Sequence, residues 1–333
     1  MDQSRHNPRR RHLVMTAAAL SCLAVARPVL AQGVFPDKPI RMIVGFPPGT
    51  ATDTVARLIA QYLADAKGWT IVVENRPGVA GTLGATEVAR AAPDGHTLLM
   101  SAAGPLATAP NLYKSVTYDS ARDFTPLALV ADISYVIAVG AASPAKSIKD
   151  LIALGKAKPG GLNYGSVGDG STQHLIGSTF LTRAGVQMVH VPYRGSVELL
   201  AGTVSGDLAF YADTAVAVAP QIAAGRLRGL GITSARRVSN LPELATLDQQ
   251  GMTGFDMPNW LVLVGPAKMP APVVETLNRE VNGLLRNEDV RARLTQLGTE
   301  PRGGMSSDEL RAFIRAELVK WKQALDASGA KTQ

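Results

Sequence analysis

Ile40-Arg41-Met42-Ile43-Val44, followed by Gly45-Phe46-Pro47-Pro48-Gly49-Thr50-Ala51-Thr52-Asp53, is the stretch that decides the fold. The apolar run reads as a buried strand, and the proline–glycine loop ends it. From Asp53 to Lys67 the residues Val55, Leu58, Ile59, Tyr62 and Leu63 fall on one stripe, the period of an amphipathic helix. A second strand is predicted over 70–74, then a glycine turn (Gly78, Gly81, Gly84), a helix over 85–91 and a third strand over 97–100. Strand, glycine loop, helix, strand is the order of a parallel sheet covered by helices.

The same order resumes near residue 133. Strands are predicted over 135–139, 162–166, 188–191, 207–211 and 227–232, separated by helices over 147–157, 173–184, 196–205 and 215–224. The last third differs, with one strand over 260–264 and then helices over 272–287, 288–297 and 307–327. Helices gathered at the end suggest that the chain returns to finish the first unit. There is no internal repeat of about 20–50 residues and no low-complexity linker.

The chain has 333 residues, a formal charge of +7 and one cysteine. At 46% hydrophobic and 18% charged it can bury a sizeable core, which excludes a disordered chain or a disulfide scaffold. The basic balance raises the question of a nucleic-acid partner, and the position of the charges answers it. Arg5, Arg9, Arg10, Arg11 and Arg27 against Asp2 alone place +4 of the +7 in the first 31 residues. An apolar run from Leu13 to Ala26 and the small-residue end Val29-Leu30-Ala31 complete a secretory signal peptide over 1–31, expected to be cut after Ala31. What remains carries about +3, an ordinary value, and aromatics are only 5%, so no nucleic-acid partner is expected. Cys22 lies in the signal, so the mature chain has no thiol and no disulfide.

Two loops carry chemistry. Pro47 and Pro48 stiffen the first, Gly49 admits close approach of backbone, and Thr52 or Asp53 is placed to cap the helix that follows. The second, Ser166-Val167-Gly168-Asp169-Gly170-Ser171-Thr172, opens the helix that carries His174. Helix starts present unpaired N–H groups and a partial positive charge, which suits a carboxylate; Asp169 is therefore expected to face outward. An ordinary capped turn explains each loop equally well when it is taken alone.

Catalysis and cofactors find less support. Ser166 or Ser171 with His174 and Asp213 is a nominal nucleophile set, but there is no G-x-S-x-G elbow. The mature histidines His96, His174 and His190 form no metal-binding pattern, and His190 reads as a hydrogen-bonded structural residue. Gly78 to Gly84 does not match G-x-G-x-x-G, and no glycine precedes Lys-Ser or Lys-Thr, so no nucleotide, metal or other cofactor is expected. Trp260 and Trp321 read as core anchors. The residues describe an exported α/β binding protein better than an enzyme.

Several motifs occur in a fixed order: Pro39-Ile40-Arg41-Met42-Ile43-Val44, Phe46-Pro47-Pro48-Gly49, Val73-Glu74-Asn75-Arg76-Pro77-Gly78, Ala92-Pro93-Asp94-Gly95, Asp123-Phe124-Thr125-Pro126, His190-Val191-Pro192-Tyr193-Arg194-Gly195 and Lys320-Trp321. Together they resemble the solute receptors of tripartite tricarboxylate transporters, the Bug-type receptors, over essentially the whole mature chain. The resemblance implies a type II periplasmic binding-protein fold, with two α/β lobes joined by two crossing strands and a ligand cleft between them. The expected lobes are 32–132 with 257–333, and 133–256.

The resemblance also implies a small organic carboxylate as ligand, held mainly by loop amides, hydroxyls and water. The matched positions are Phe46, Pro48, Gly49 and Asp53 in one lobe and Ser166, Gly170, Ser171, Thr172 and His174 in the other. Ser101, Ala102 and Asp213 are expected further lining. Thr50 stands where the family usually has a second glycine, and its hydroxyl either meets the ligand or narrows the cleft; His96 stands where tyrosine is common. The implied partners are the large and small membrane subunits of a permease, the implied location is the periplasm, and the implied state is a monomer. A sensor of the same fold, signalling to a two-component kinase, is the alternative.

Overall fold

The deciding stretch folds as read. β1 (Ile40–Val44) is buried except at half-buried Arg41, and α1 (Ala51–Lys67) follows the proline–glycine loop. The computed structural model describes residues 35–331, so the predicted signal, Cys22 and the cleavage position lie outside the described residues. The chain continues through β2 (Ile71–Asn75), α2 (Thr82–Ala89) and β3 (Thr97–Ala102). A π turn over Gly104–Thr108 then leads into the short α3 (Ala109–Leu112) and β4 (Phe124–Ile133). After β5 (Tyr135–Gly140) come α4 (Ile148–Ala157), β6 (Asn163–Ser166), α5 (Thr172–Ala184), β7 (Val189–Pro192) and α6 (Ser196–Ser205). β8 (Phe210–Thr214), α7 (Ala215–Ala223), β9 (Leu227–Ile232) and β10 (Asn259–Pro266) follow. α8 (Ala271–Leu284), α9 (Glu288–Gln296), β11 (Glu300–Pro301) and α10 (Ser307–Ser328) end the chain. Among the described residues no helix is long and apolar enough to cross a membrane.

Two sheets result, in the orders β11-β4-β10-β3-β1-β2 and β7-β6-β8-β5-β9. β1 runs parallel to both β2 and β3, and β6 runs parallel to both β7 and β8. In each sheet an antiparallel strand closes on the third of these: β10 on β3 in the first, β5 on β8 in the second. The two sheets therefore share one plan, in which β1 corresponds to β6 and β3 to β8. Helices on the faces explain why β1 reads as a continuous apolar run and not as an alternating one.

The chain crosses between the sheets twice, as expected for two-lobed type II binding proteins. Ser134 alone separates β4 from β5; the return path from β9 enters β10 through Met257 and Pro258. Both crossings meet: Ser134 Oγ lies 2.8 Å from Ser234 Oγ, and the Thr233 amide donates to the Tyr135 carbonyl at 2.9 Å. Trp260 and Trp321 are fully buried, and both indole N–H groups donate to one Glu317 carboxylate oxygen, at 2.8 and 3.0 Å. This ties β10 to α10.

Two elements differ from expectation. β4 is a ten-residue strand, buried throughout, that the pattern hides because Pro126 interrupts it. A proline survives there because the register against β10 shifts between Leu263 and Val264, leaving Leu127 as the extra residue, so the lost N–H falls beside a bulge. The strand expected over 207–211 runs instead over Phe210–Thr214. Residues 207 and 208 finish the preceding helix: Asp207 accepts the Ser205 hydroxyl, and the Leu208 amide donates back to Gly202. Asp213, expected beyond the strand, is therefore within it, opposite Val136 of β5.

Candidate functional site

Both anion-suited loops end in a helix start at the carboxyl end of a parallel strand, where ligands bind in open α/β sheets. In the first, Gly49 has φ +83°, a conformation that only glycine adopts without strain. Its amide donates to Asp53 Oδ2 at 2.8 Å. Asp53 is buried, and its other oxygen takes Asn75 Nδ2 at 2.8 Å and Arg57 Nε at 3.1 Å. Asn75 in turn holds the Phe46 carbonyl at 2.9 Å, so both ends of the loop are braced. Burial pushes the Asp53 carboxyl up, but Arg57, the Gly49 amide and Asn75 outweigh it and hold the carboxyl below its ordinary value. The expected Thr52 or Asp53 cap is not formed. Thr50 occupies the cap position without a side-chain cap bond, and its hydroxyl donates to the Pro47 carbonyl at 2.9 Å. Asp53 thus turns both carboxylate oxygens onto its own loop and its neighbours.

The second loop is built alike. Gly170 has φ +71°, and its amide donates to His174 Nδ1 at 3.0 Å. Ser171 caps α5 by accepting the His174 amide, while its hydroxyl donates to Gly168. Ser166 Oγ lies 2.6 Å from His190 Nε2, so His190 is hydrogen-bonded. The His174 and His190 rings stack at 3.8 Å with 8° between planes. Burial pushes the His174 imidazole down to about 4, with His190 adding to the shift and Asp169 opposing it. His190 is pushed down in the same way, against the pull of Asp169. Asp169, expected to face outward, is 49% exposed but turns onto His190 Nδ1 at 3.3 Å.

Asp169, His174 and His190 bring one donor atom each within 4.8 Å, the one such grouping among the described residues. Their geometry does not suit a metal. An ion sits about 2.0–2.1 Å from a histidine nitrogen in the plane of its ring, and two stacked parallel planes share no such point.

The first loop packs against neighbours of its own sheet, and the second reaches α3, which follows β3 of the first sheet. A Cβ on Gly81 would meet both the Phe46 ring and Pro105, and one on Gly170 would lie 2.3 Å from Leu112 of α3. The Tyr135 hydroxyl lies close to the side chains of Thr172 and Asn259, and the Ala103 amide donates to Asn259 at 3.0 Å. Ser101 and Ala102 end β3 fully buried; Ser101 Oγ has no hydrogen-bond partner among the described residues. At the equivalent end of β8, Asp213 is 5% exposed and, among the described residues, accepts only the Thr214 amide, at 2.7 Å. Burial pushes its carboxyl up to about 6, and no cationic side chain among the described residues offsets this. Pro48 is exposed on the first loop. Sequence reasoning missed Asn75, Arg57 and Tyr135; for Asn75 the available signal is its place in the Val73–Gly78 motif.

The family described as tripartite tricarboxylate transporter family receptor matches residues 55–330. The chain belongs to that family. BugT of Bordetella pertussis is 33% identical over 326 residues, covering 96% of this chain and 98% of BugT. Among solved structures, Rpa4515 of R. palustris with adipate has a TM-score of 0.75 and 32% identity, over 89% of this receptor and 99% of that chain. MatC of Rhodopseudomonas palustris with bound malate has a TM-score of 0.71 and 31% identity, over 87% of this receptor and all of that chain. The family is one of periplasmic solute-binding receptors and not of enzymes, and the two-lobed fold is theirs.

Proposed function

We propose that the protein is a periplasmic receptor that captures a small organic carboxylate between lobes 32–132 with 257–333, and 133–256, and delivers it to the large and small membrane subunits of a tripartite tricarboxylate-type permease. The observation that carries this reading is the pair of matched helix starts, each opened by a left-handed glycine whose own amide is taken by a side chain. That leaves the first-turn amides of α1 (Ala51, Thr52, Asp53) and of α5 (Thr172, Gln173) to hold the ligand carboxylates. Phe46, Pro48, Gly49 and Thr50 shape one side, and Ser166, Gly170, Ser171 and Thr172 the other. Ser101, Ala102 and Asp213 close the floor. The relatives solved with adipate and malate support a carboxylate, and the arginine-led apolar N-terminal segment supports export. Bridging water fits such a site without weakening it.

Calorimetric titration of the mature chain with adipate, malate, benzoate and, as control, sulfate tests the reading. Saturable one-to-one binding of at least one carboxylate is expected. Absence of heat and of any thermal shift across all the acids overturns it.

A further inference from the structure

The two loops are braced by one device. In each, a side chain at the third position of the helix reaches back four residues to accept the amide of the left-handed glycine: Asp53 for Gly49 and His174 for Gly170. The topology makes these positions equivalent, since β1 and β6 hold the same place in their sheets. The chemistry of the acceptors differs. Asp53 is an anion, but Arg57 pairs with it at 3.0 Å. His174 has no ion pair among the described residues, and as a neutral ring it needs none. The titratable groups facing it are His190 stacked from β7, Asp169 from the loop and Tyr164 from β6, whose ring centroid lies 6.2 Å away. α10 packs along α5, and its Lys320 and Lys322 are paired within α10, with Glu317 and Asp326.

Resting on the carboxylate-receptor reading above, we propose that His174 is the positioning residue of the second half-site: an uncharged acceptor that sets the Gly170–Ser171 turn without repelling an anion at the start of α5, as the Asp53–Arg57 pair does for α1. A net negative brace at either place would cancel the positive end of the helix that the ligand needs. The neutral state of His174 is built in. Its Nδ1 accepts from Gly170, which leaves the proton on Nε2. The parallel stack on His190 and its burial oppose a second proton.

The test separates bracing from charge. His174→Ala, His174→Asn and His174→Asp are compared with the wild type by thermal unfolding and by adipate titration at pH 7.5. Asn and Asp both place an oxygen where Nδ1 lies, so both are expected to restore most of the stability that Ala loses. Affinity is expected to divide them: Asn recovers to within about threefold of the wild type, whereas Asp stays at least about tenfold weaker, as an uncompensated charge beside a bound anion requires. Equal affinities for the Asn and Asp variants overturn the proposal. A ligand-free arm keeps the two readings apart. The nitrogen-15 shifts of His174 are expected to show a bare Nδ1 and a protonated Nε2 throughout pH 6–8; a protonated Nδ1 overturns the brace whatever binds. If the wild type binds no carboxylate while Nδ1 is bare, the receptor reading fails, and the charge argument fails with it.

Discussion

Replacing Asp53 by alanine removes one buried carboxylate that holds three partners, and the structure sets the size of the loss. Hydrogen bonds to a charged group contribute about 1.5–3 kcal/mol each. The Gly49 amide and the Asn75 and Arg57 side chains all lose their acceptor, but the first two retain alternatives: Gly49 is exposed, so water reaches its amide, and Asn75 still holds the Phe46 carbonyl. Arg57, 50% exposed, is likewise hydrated. The net expected destabilisation is therefore about 2–4 kcal/mol rather than the sum of three strong bonds. The charge state adds a second signature. The carboxyl is held below its ordinary value, so its contribution is complete above about pH 4 and is lost as pH falls through the folded-state value. Urea denaturation of the wild type and Asp53→Ala, followed by tryptophan fluorescence, is expected to show the full gap at pH 7 and a shrinking gap below pH 4. Adipate affinity falls in parallel, since the loop before α1 is no longer fixed. A gap under about 1 kcal/mol at pH 7 with unchanged affinity refutes the bracing role.

Gly170→Ala forces a left-handed alanine and drives its Cβ to 2.3 Å from Leu112, so a loss of about 1–3 kcal/mol is expected, with part recovered in the Gly170→Ala, Leu112→Ala double mutant by the usual cycle. Asp213→Asn is expected to stabilise by about 1–3 kcal/mol at pH 7.5. The Asp213 carboxyl, pushed up to about 6 by burial, destabilises the folded state as pH rises from 4 to 6, so the gain measured by thermal unfolding disappears near pH 4. Glu317→Leu leaves two buried indole N–H groups without their acceptor, for an expected loss of about 2–4 kcal/mol seen in urea titration.

The fold was legible where local signals agree. Apolar periodicity, a helix start and a glycine each point the same way at 40–67, and the resemblance supplied the two-lobed plan that strand order alone leaves open. β4 was not legible, because Pro126 argues against a strand unless a bulge against β10 is known, and that bulge is a property of the partner strand. The end of β8 was displaced because the helix-closing bonds of Ser205, Asp207 and Leu208 are local and leave no periodic trace. In the site, the loops and their glycines were readable from composition. The directions of the side chains were not. Asp53 and His174 have the chemistry of ligand contacts, and only the position of the Gly49 and Gly170 amides shows that both face their own loops. The stacking of His174 on His190 joins residues sixteen apart through the sheet register of β6 and β7.

Titration of the amide spectrum of the nitrogen-15-labelled mature protein with adipate tests the central claim most directly. The account predicts that the amides of Ala51 and Thr52, at the start of α1, and of Thr172 and Gln173, at the start of α5, shift together and saturate at one ligand concentration. Saturable binding with shifts confined to one helix start, or lying away from both, contradicts it.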